Sequence, residues 1–230
     1  MTQAPPRPQP TVDTAKKVRI IVWIVIAAVV AAGVIWFAVF TATKPAPSTA
    51  GPAGGAQLVR EDSHRITTPA AEKAQLVEFL DFECESCRAA YPLVEELKKE
   101  YGDRITFVQR YFPLAGHRNS GTAALAVEAA AQQGKYEVMA AKLFETQPQW
   151  GEKSDSQAAT FRSYAQELGL DMVRYDAAVA DEKTQARIRK DASDGSALGV
   201  TGTPTFFLDG KKLTLDTEEQ FRGLLDEAAK

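Results

Sequence analysis

The sequence predicts an α/β domain with a parallel strand–helix–strand unit and a large helical insertion, preceded by one membrane-spanning helix. Three observations predict it. Ile20 to Phe40 is an uncharged run of 21 residues. Residues 75–111 pass from a near-continuous apolar segment through helical spacing to a second β-rich segment. Residues 119–198 then carry helical patterns without a convincing strand, and strand signals return only at Thr205.

Taken in order, residues 1–19 contain prolines at 5, 6, 8 and 10 and too little apolar content to fold, so they read as a disordered tail. The 20–40 run is rich in Ile, Val, Ala, Trp and Phe. At about 1.5 Å per residue it spans roughly 30 Å, the thickness of a bilayer's hydrocarbon core. Trp23 and Trp36 lie toward its two ends, where indole rings settle at the interface. Lys16, Lys17 and Arg19 precede it and only Lys44 follows closely, which puts the N-terminus in the cytoplasm and everything after residue 40 outside it. A cleaved secretory signal is the alternative; its apolar region usually runs about 7–15 residues, shorter than this span. Both readings leave the soluble part in the same compartment.

Residues 41–57 turn to Pro, Ala, Gly, Ser and Thr, a flexible linker. The body, 58–230, fits one domain of ordinary size. Up to Lys44 there are five basic residues and one acidic, leaving 22 basic and 29 acidic for the remainder. That acidic balance argues against nucleic acid as the partner.

Within the body, Gln75 to Phe82 is a strand whose Leu76, Val77, Phe79, Leu80 and Phe82 leave little polar face, as a strand covered on both sides requires. Arg88 to Tyr101 has helical spacing through Leu93, Val94 and Leu97, and Gly102 stops it. Ile105 to Tyr111 is a second strand. So short a strand–helix–strand spacing makes the two strands parallel. Helices are expected at Ser120 to Gln133, Lys135 to Glu145, Ser154 to Leu168, Met172 to Ala180 and Glu182 to Ser193, an inserted subdomain at about 118–198. Thr205 to Leu208 resumes the sheet, Asp209-Gly210 signals a two-residue hairpin turn toward Leu213 and Leu215, and Thr217 with Gln220 forms a capping box for the last helix.

Cys84 and Cys87, the two cysteines of the chain, stand in Phe82-Glu83-Cys84-Glu85-Ser86-Cys87 at the junction of strand and helix. There a Cys-x-x-Cys can open and close one disulfide, with the first sulfur at the helix N-terminus. A static disulfide is one alternative, but a loop this small restrains the unfolded chain little. Half of a zinc site is another; it would need His64 and His117, the two histidines of the chain, as further ligands. No nucleotide or flavin signature and no metal signature is present, so no cofactor is expected.

The body resembles the DsbA-like thiol:disulfide oxidoreductases, a family with a thioredoxin fold and an inserted helical subdomain. The resemblance rests on Leu76-Val77-Glu78-Phe79-Leu80-Asp81-Phe82 before the Cys-x-x-Cys, on Thr201-Gly202-Thr203-Pro204-Thr205-Phe206, on the helices between them, and on Tyr111-Phe112-Pro113-Leu114 with His117. It implies that Cys84 is the exchanging thiol and that Cys87 resolves the mixed disulfide. It implies that Glu78 is a buried acid relaying a proton to or from Cys87; a Glu facing solvent on an edge strand is the alternative reading. It also implies that the Thr203-Pro204 bond is cis and faces the cysteines, so that the Thr203 backbone pairs with an extended client segment.

The pair between the cysteines departs from the family's Pro-His. Glu85 and Ser86 supply no positive charge, and Glu83 and Asp81 add negative charge, so Cys84 is expected to be less acidic than in Pro-His relatives. Pro92 matches the position of a helix-kinking proline with a packing role, and His117 reads more readily as a surface or capping residue than as a catalytic one.

The expected function is a bacterial, membrane-tethered extracytoplasmic enzyme that oxidises exported proteins. The family implies cysteine-containing exported clients and a quinone-linked reoxidant of the DsbB or vitamin-K-epoxide-reductase-like kind. A reductase or isomerase of the same fold, serving cytochrome c or metallocentre maturation, and a non-catalytic client-binding module are the alternatives.

Overall fold

The computed structural model describes Trp23 and residues 55–230. The tail at 1–19, the 20–40 span except Trp23, and the linker up to residue 54 lie outside the described residues. Among the described residues no helix is long and apolar enough to cross a membrane.

The strands are β1 (His64–Arg65), β2 (Ala74–Leu80), β3 (Ile105–Tyr111), β4 (Thr205–Leu208) and β5 (Lys211–Lys212). The helices are α1 (Glu85–Tyr101), α2 (Ser120–Ala131), α3 (Tyr136–Trp150), α4 (Ala158–Glu167), α5 (Met172–Ala180), α6 (Glu182–Ala197) and α7 (Glu218–Ala228). They build one five-stranded sheet in the order β1-β3-β2-β4-β5. β2 and β3 are parallel, and the other pairings are antiparallel. With neighbours on both sides, β2 is a central strand, which accounts for its unbroken apolar run.

Because side chains alternate, β2 serves two cores. Leu76 joins Ile105, Phe107 and Phe206 under Val94, Leu97 and Tyr101 of α1 and Phe221 and Leu225 of α7. Val77 and Phe79 face the other way, with Val108, Phe112, Val200 and Phe207. A third cluster runs from Leu80, Phe82 and Tyr111 into α2–α6. Each fully buried Leu, Val or Phe contributes about 1.5–3 kcal/mol. The helices of the insertion are thus fastened to the end of β2 that leads into the cysteines.

Several boundaries differ from expectation for identifiable reasons. β1 pairs His64 with Gln109 and Arg65 with Val108, and a two-residue strand carries no periodicity to read. α1 starts at Glu85, so Cys87 already lies inside it. α3 runs past Glu145 through Pro148 to Trp150, whose fully buried indole donates from Nε1 to the Leu143 carbonyl and meets Phe161 edge-on at 4.7 Å. The turn before β5 has Asp209 at φ 47° and Gly210 at φ 82°, the left-handed pair that a type I′ hairpin needs. β5 stops at Lys212; Leu213 and Leu215 instead pack against the α1 and α7 core. The Thr217 hydroxyl caps α7 by accepting from Gln220 N at 3.2 Å, but Gln220 Oε1 reaches Asp216 N rather than Thr217, one residue outside the expected box.

Candidate active site

Cys84 is the N-cap residue of α1, in extended backbone, with its N–H donating to the Asp81 carbonyl at 3.1 Å. Both cysteines are free thiols. Cys84 keeps a 7% exposed edge, whereas Cys87, inside the first turn, is 1% exposed. The Thr203–Pro204 bond is cis, and the Thr203 carbonyl lies 3.3 Å from Cys84 Sγ, accepting from the thiol. Thr203 Oγ1, also buried here, has no hydrogen-bond partner among the described residues.

These surroundings separate the two thiols. The Cys84 pKa is lowered to about 5, chiefly by the hydrogen bond from the Cys87 S–H. Burial opposes the shift, while Thr203 and the backbone N–H groups of Cys87 and Ser86 add to it. Cys87 moves the opposite way, far above its ordinary value, because it is buried, donates to Cys84 and feels the charge of Glu78.

Glu78 projects from the central strand, not an edge, and is 6% exposed. The solvent-facing reading of it therefore fails. Burial raises its pKa to about 7, against one hydrogen bond from Gln109 Nε2 at 2.8 Å. Gln109 is its register partner on β3.

The expected opposition of Asp81 and Glu83 to a Cys84 thiolate takes a different form, because neither is an exposed like charge. Asp81 is 2% exposed and Glu83 1%. Asp81 Oδ1 accepts from Glu83 N at 2.8 Å, and its Oδ2 accepts from Leu114 N at 2.9 Å and meets His117 Nδ1 at 2.7 Å. Glu83 accepts from Asn119 N at 2.6 Å and from Glu152 N at 3.1 Å. Both carboxylates are spent on tying the cysteine turn to the 112–119 loop and the α3–α4 connection, and Cys84 is strongly acidic.

Three residues of the site were not singled out in the sequence: Asp81 as an anchor, Gln109 and Gln147. Gln147 Nε2 of α3 donates to the Phe82 and Cys84 carbonyls at 2.8 and 3.0 Å. The detectable signals were polar residues inside apolar segments, Asp81 after β2 and Gln109 in β3. His117 is neither free on the surface nor a helix cap. Burial works against its charge, yet the bond to Asp81 and the charges of Asp81, Cys84 and Glu83 outweigh that and raise its pKa. Pro92 lies within α1 but is exposed, so the packing role expected for it is not seen. As for zinc, His64 is bonded to Glu128 and His117 to Asp81, and no cluster of three or more candidate ligands occurs among the described residues.

Comparison with known proteins places this arrangement among relatives. A family model described as Thioredoxin matches residues 60–227. A thioredoxin-like oxidoreductase from Silicibacter pomeroyi DSS-3 superposes with a TM-score of 0.61 at 26% identity, over 74% of this chain and 93% of that one. Wolbachia pipientis α-DsbA1 shares the fold, with a TM-score of 0.64 at 20% identity over 75% of this chain and 93% of that one. In sequence, 140 residues, 60% of this chain, are 37% identical to part of the Na(+)/H(+) antiporter NhaA 1 of Mycobacterium sp. (strain KMS), covering 22% of that protein. The chain therefore spans about a fifth of the length of the curated relatives it matches.

Proposed function

The chain belongs to the thioredoxin family, and from that premise we propose that it is a DsbA-like thiol:disulfide oxidoreductase that passes the Cys84–Cys87 disulfide to exported proteins. What supports the oxidising direction is the site of Cys84, where the Cys87 S–H, Thr203 and the backbone N–H groups of Ser86 and Cys87 lower the pKa of the thiol. Interactions present only in the dithiol form stabilise that form and make the disulfide a stronger oxidant.

A client thiolate attacks Cys84 Sγ, the Cys84–Cys87 bond breaks, and its electron pair leaves on Cys87, which takes a proton from Glu78. A second client thiolate then attacks the client sulfur of the mixed disulfide, forming the client's disulfide and releasing Cys84 as the thiolate. The extended client segment lies along the Thr203-Pro204 loop. The exchanging domain, 58–230, works outside the cytoplasm on a tether formed by residues 20–57. Its curated relatives, antiporters in which the matching segment is a fifth of the protein, support a domain of this kind working beside a membrane. A quinone-linked membrane protein restores the disulfide.

The redox state of the pair in cells tests the direction. Mostly disulfide is expected, and mostly dithiol would mean a reductase. A Cys87→Ser variant should accumulate mixed disulfides with exported proteins, and the full chain should stay with membranes through alkaline extraction. Unimpaired function of a Cys84→Ser, Cys87→Ser double variant would leave only a binding module.

A further inference from the structure

The loop after β3 does more than close the fold. Its 112–119 segment is fastened to the cysteine turn at three points: Leu114 N and His117 Nδ1 on Asp81 Oδ2, and Asn119 N on Glu83 Oε2. Asp81 itself accepts from Cys84 N through its carbonyl and from Glu83 N through Oδ1. One residue thus fixes both, the imidazole through its buried carboxylate and the exchanging cysteine through its backbone carbonyl. With Nδ1 committed to Asp81, His117 presents Nε2 from a side chain that is 22% exposed.

We propose that the His117 imidazolium, positioned by Asp81, is the cation of the exchange site, stabilising Cys84 as a leaving thiolate in place of a histidine between the two cysteines. This rests on the exchange reading above. In the step concerned, the Cys84–client S–S bond breaks, its electron pair goes to Cys84 Sγ, and the client sulfur bonds to the second client thiolate. No proton moves, and His117 contributes only charge.

The groups around His117 favour that charge. Asp81 comes from the end of β2, and Glu83 and Cys84 from the turn into α1, and the negative charge of each raises the imidazole pKa against its partial burial. Glu85 opens α1, and the α3–α4 connection adds Glu152, Lys153 and Asp155. Arg118, the next residue, donates from Nε to the Ser154 carbonyl at 2.7 Å. The hydrogen bonds on Cys84 dominate its acidity, so the share of His117 is a modest one, about two- to fivefold in thiolate population on the scale of partly exposed charge pairs.

Coupling of two charges is reciprocal, so it can be read from either end. In the full-length protein, NMR titration of the two histidines in dithiol and disulfide forms should show His117 binding its proton about two- to fivefold more tightly in the dithiol form. From the other end, His117→Gln should raise the pH midpoint of Cys84 alkylation by the matching factor, and His117→Lys should restore it. Identical His117 titration in the two redox forms overturns the proposal, as does an alkylation midpoint that His117→Gln leaves in place. The redox comparison needs no variant, so misfolding cannot obscure it. A coupled His117 in a protein that exchanges no disulfides would sink the functional reading alone.

Discussion

Cys84 and Cys87 lie three positions apart, and their protons are governed by opposite surroundings. With Cys84 lowered to about 5, iodoacetamide should modify it with a midpoint near that pH, while Cys87 stays unmodified at pH 7 until the chain is unfolded; mass spectrometry of the labelled peptides checks both. A thiol depressed in the folded state stabilises the dithiol form above its unfolded pKa, and that stability is lost as pH falls toward about 5. Glu78 has the reverse sign. It holds its proton to about 7 where an unfolded glutamate releases it near 4.5, so its contribution to stability falls as pH rises through that window. Glu78→Gln should therefore stabilise the disulfide form by about 1–3 kcal/mol at pH 8 and little at pH 4, measured by urea unfolding. With Glu78 as the proposed proton partner of Cys87, the same change should slow resolution roughly tenfold or more. Gln109→Leu, which removes the one donor to Glu78, should push the carboxyl pKa further up. The sulfurs, Glu78 and the prolyl loop were legible because each is a local anomaly: a spaced pair, an acid in an apolar strand, a proline entering a strand. Gln147 was not, because its partner Cys84 is 63 residues away and a glutamine within a helix carries no mark of what it reaches.

At the scale of elements, the periodicities located β2, β3, α5 and β4, and the misses follow from tertiary contacts. β1 exists through its pairing with β3, and α3 continues because Trp150 has a buried place to occupy. α6 shows how tightly a helix can be specified without an apolar stripe. It approaches the sheet at Gly195, where an added Cβ would lie 2.7 Å from Phe112 Cδ2 and 3.0 Å from Phe79 Cδ1. Alanine is the better helix former by about 1 kcal/mol, yet both obstructing atoms belong to ring side chains packed in the core. Gly195→Ala should accordingly lower stability by about 1–3 kcal/mol, observable as a lower unfolding midpoint in urea.

For the molecule as a whole, sheet and insertion are joined by charge as well as by apolar packing. Arg110 of β3 is fully buried, donating to Asp191 and Asp194 of α6 at 2.8 Å each and to the Gln57 and Leu58 carbonyls at 2.9 and 2.6 Å. Arg110→Met would take the shared cation from two buried carboxylates, leaving Asp194 to Arg60 and Asp191 to the Tyr111 N–H and Arg187, and a loss at the low end of about 3–5 kcal/mol is expected in denaturant unfolding. Arg162→Met, at the exposed pair with Asp176, should leave the midpoint where it was. Sequence showed Arg110 within a strand; that it was buried depended on α6 lying across that face, which no local pattern encodes.

The bracing of the cysteine turn by Gln147, Asn119 and Glu152 bears on how such a protein can be shortened. All three donors belong to the 118–198 region, and they hold the Phe82 and Cys84 carbonyls and the Glu83 carboxylate. Excising that region to leave a minimal sheet with two helices would keep every reactive atom and remove its scaffolding. The reactive turn is in effect the keystone of an arch whose second pier is the insertion, and a miniaturised version needs new donors at those three acceptors before its sulfurs can be expected to work.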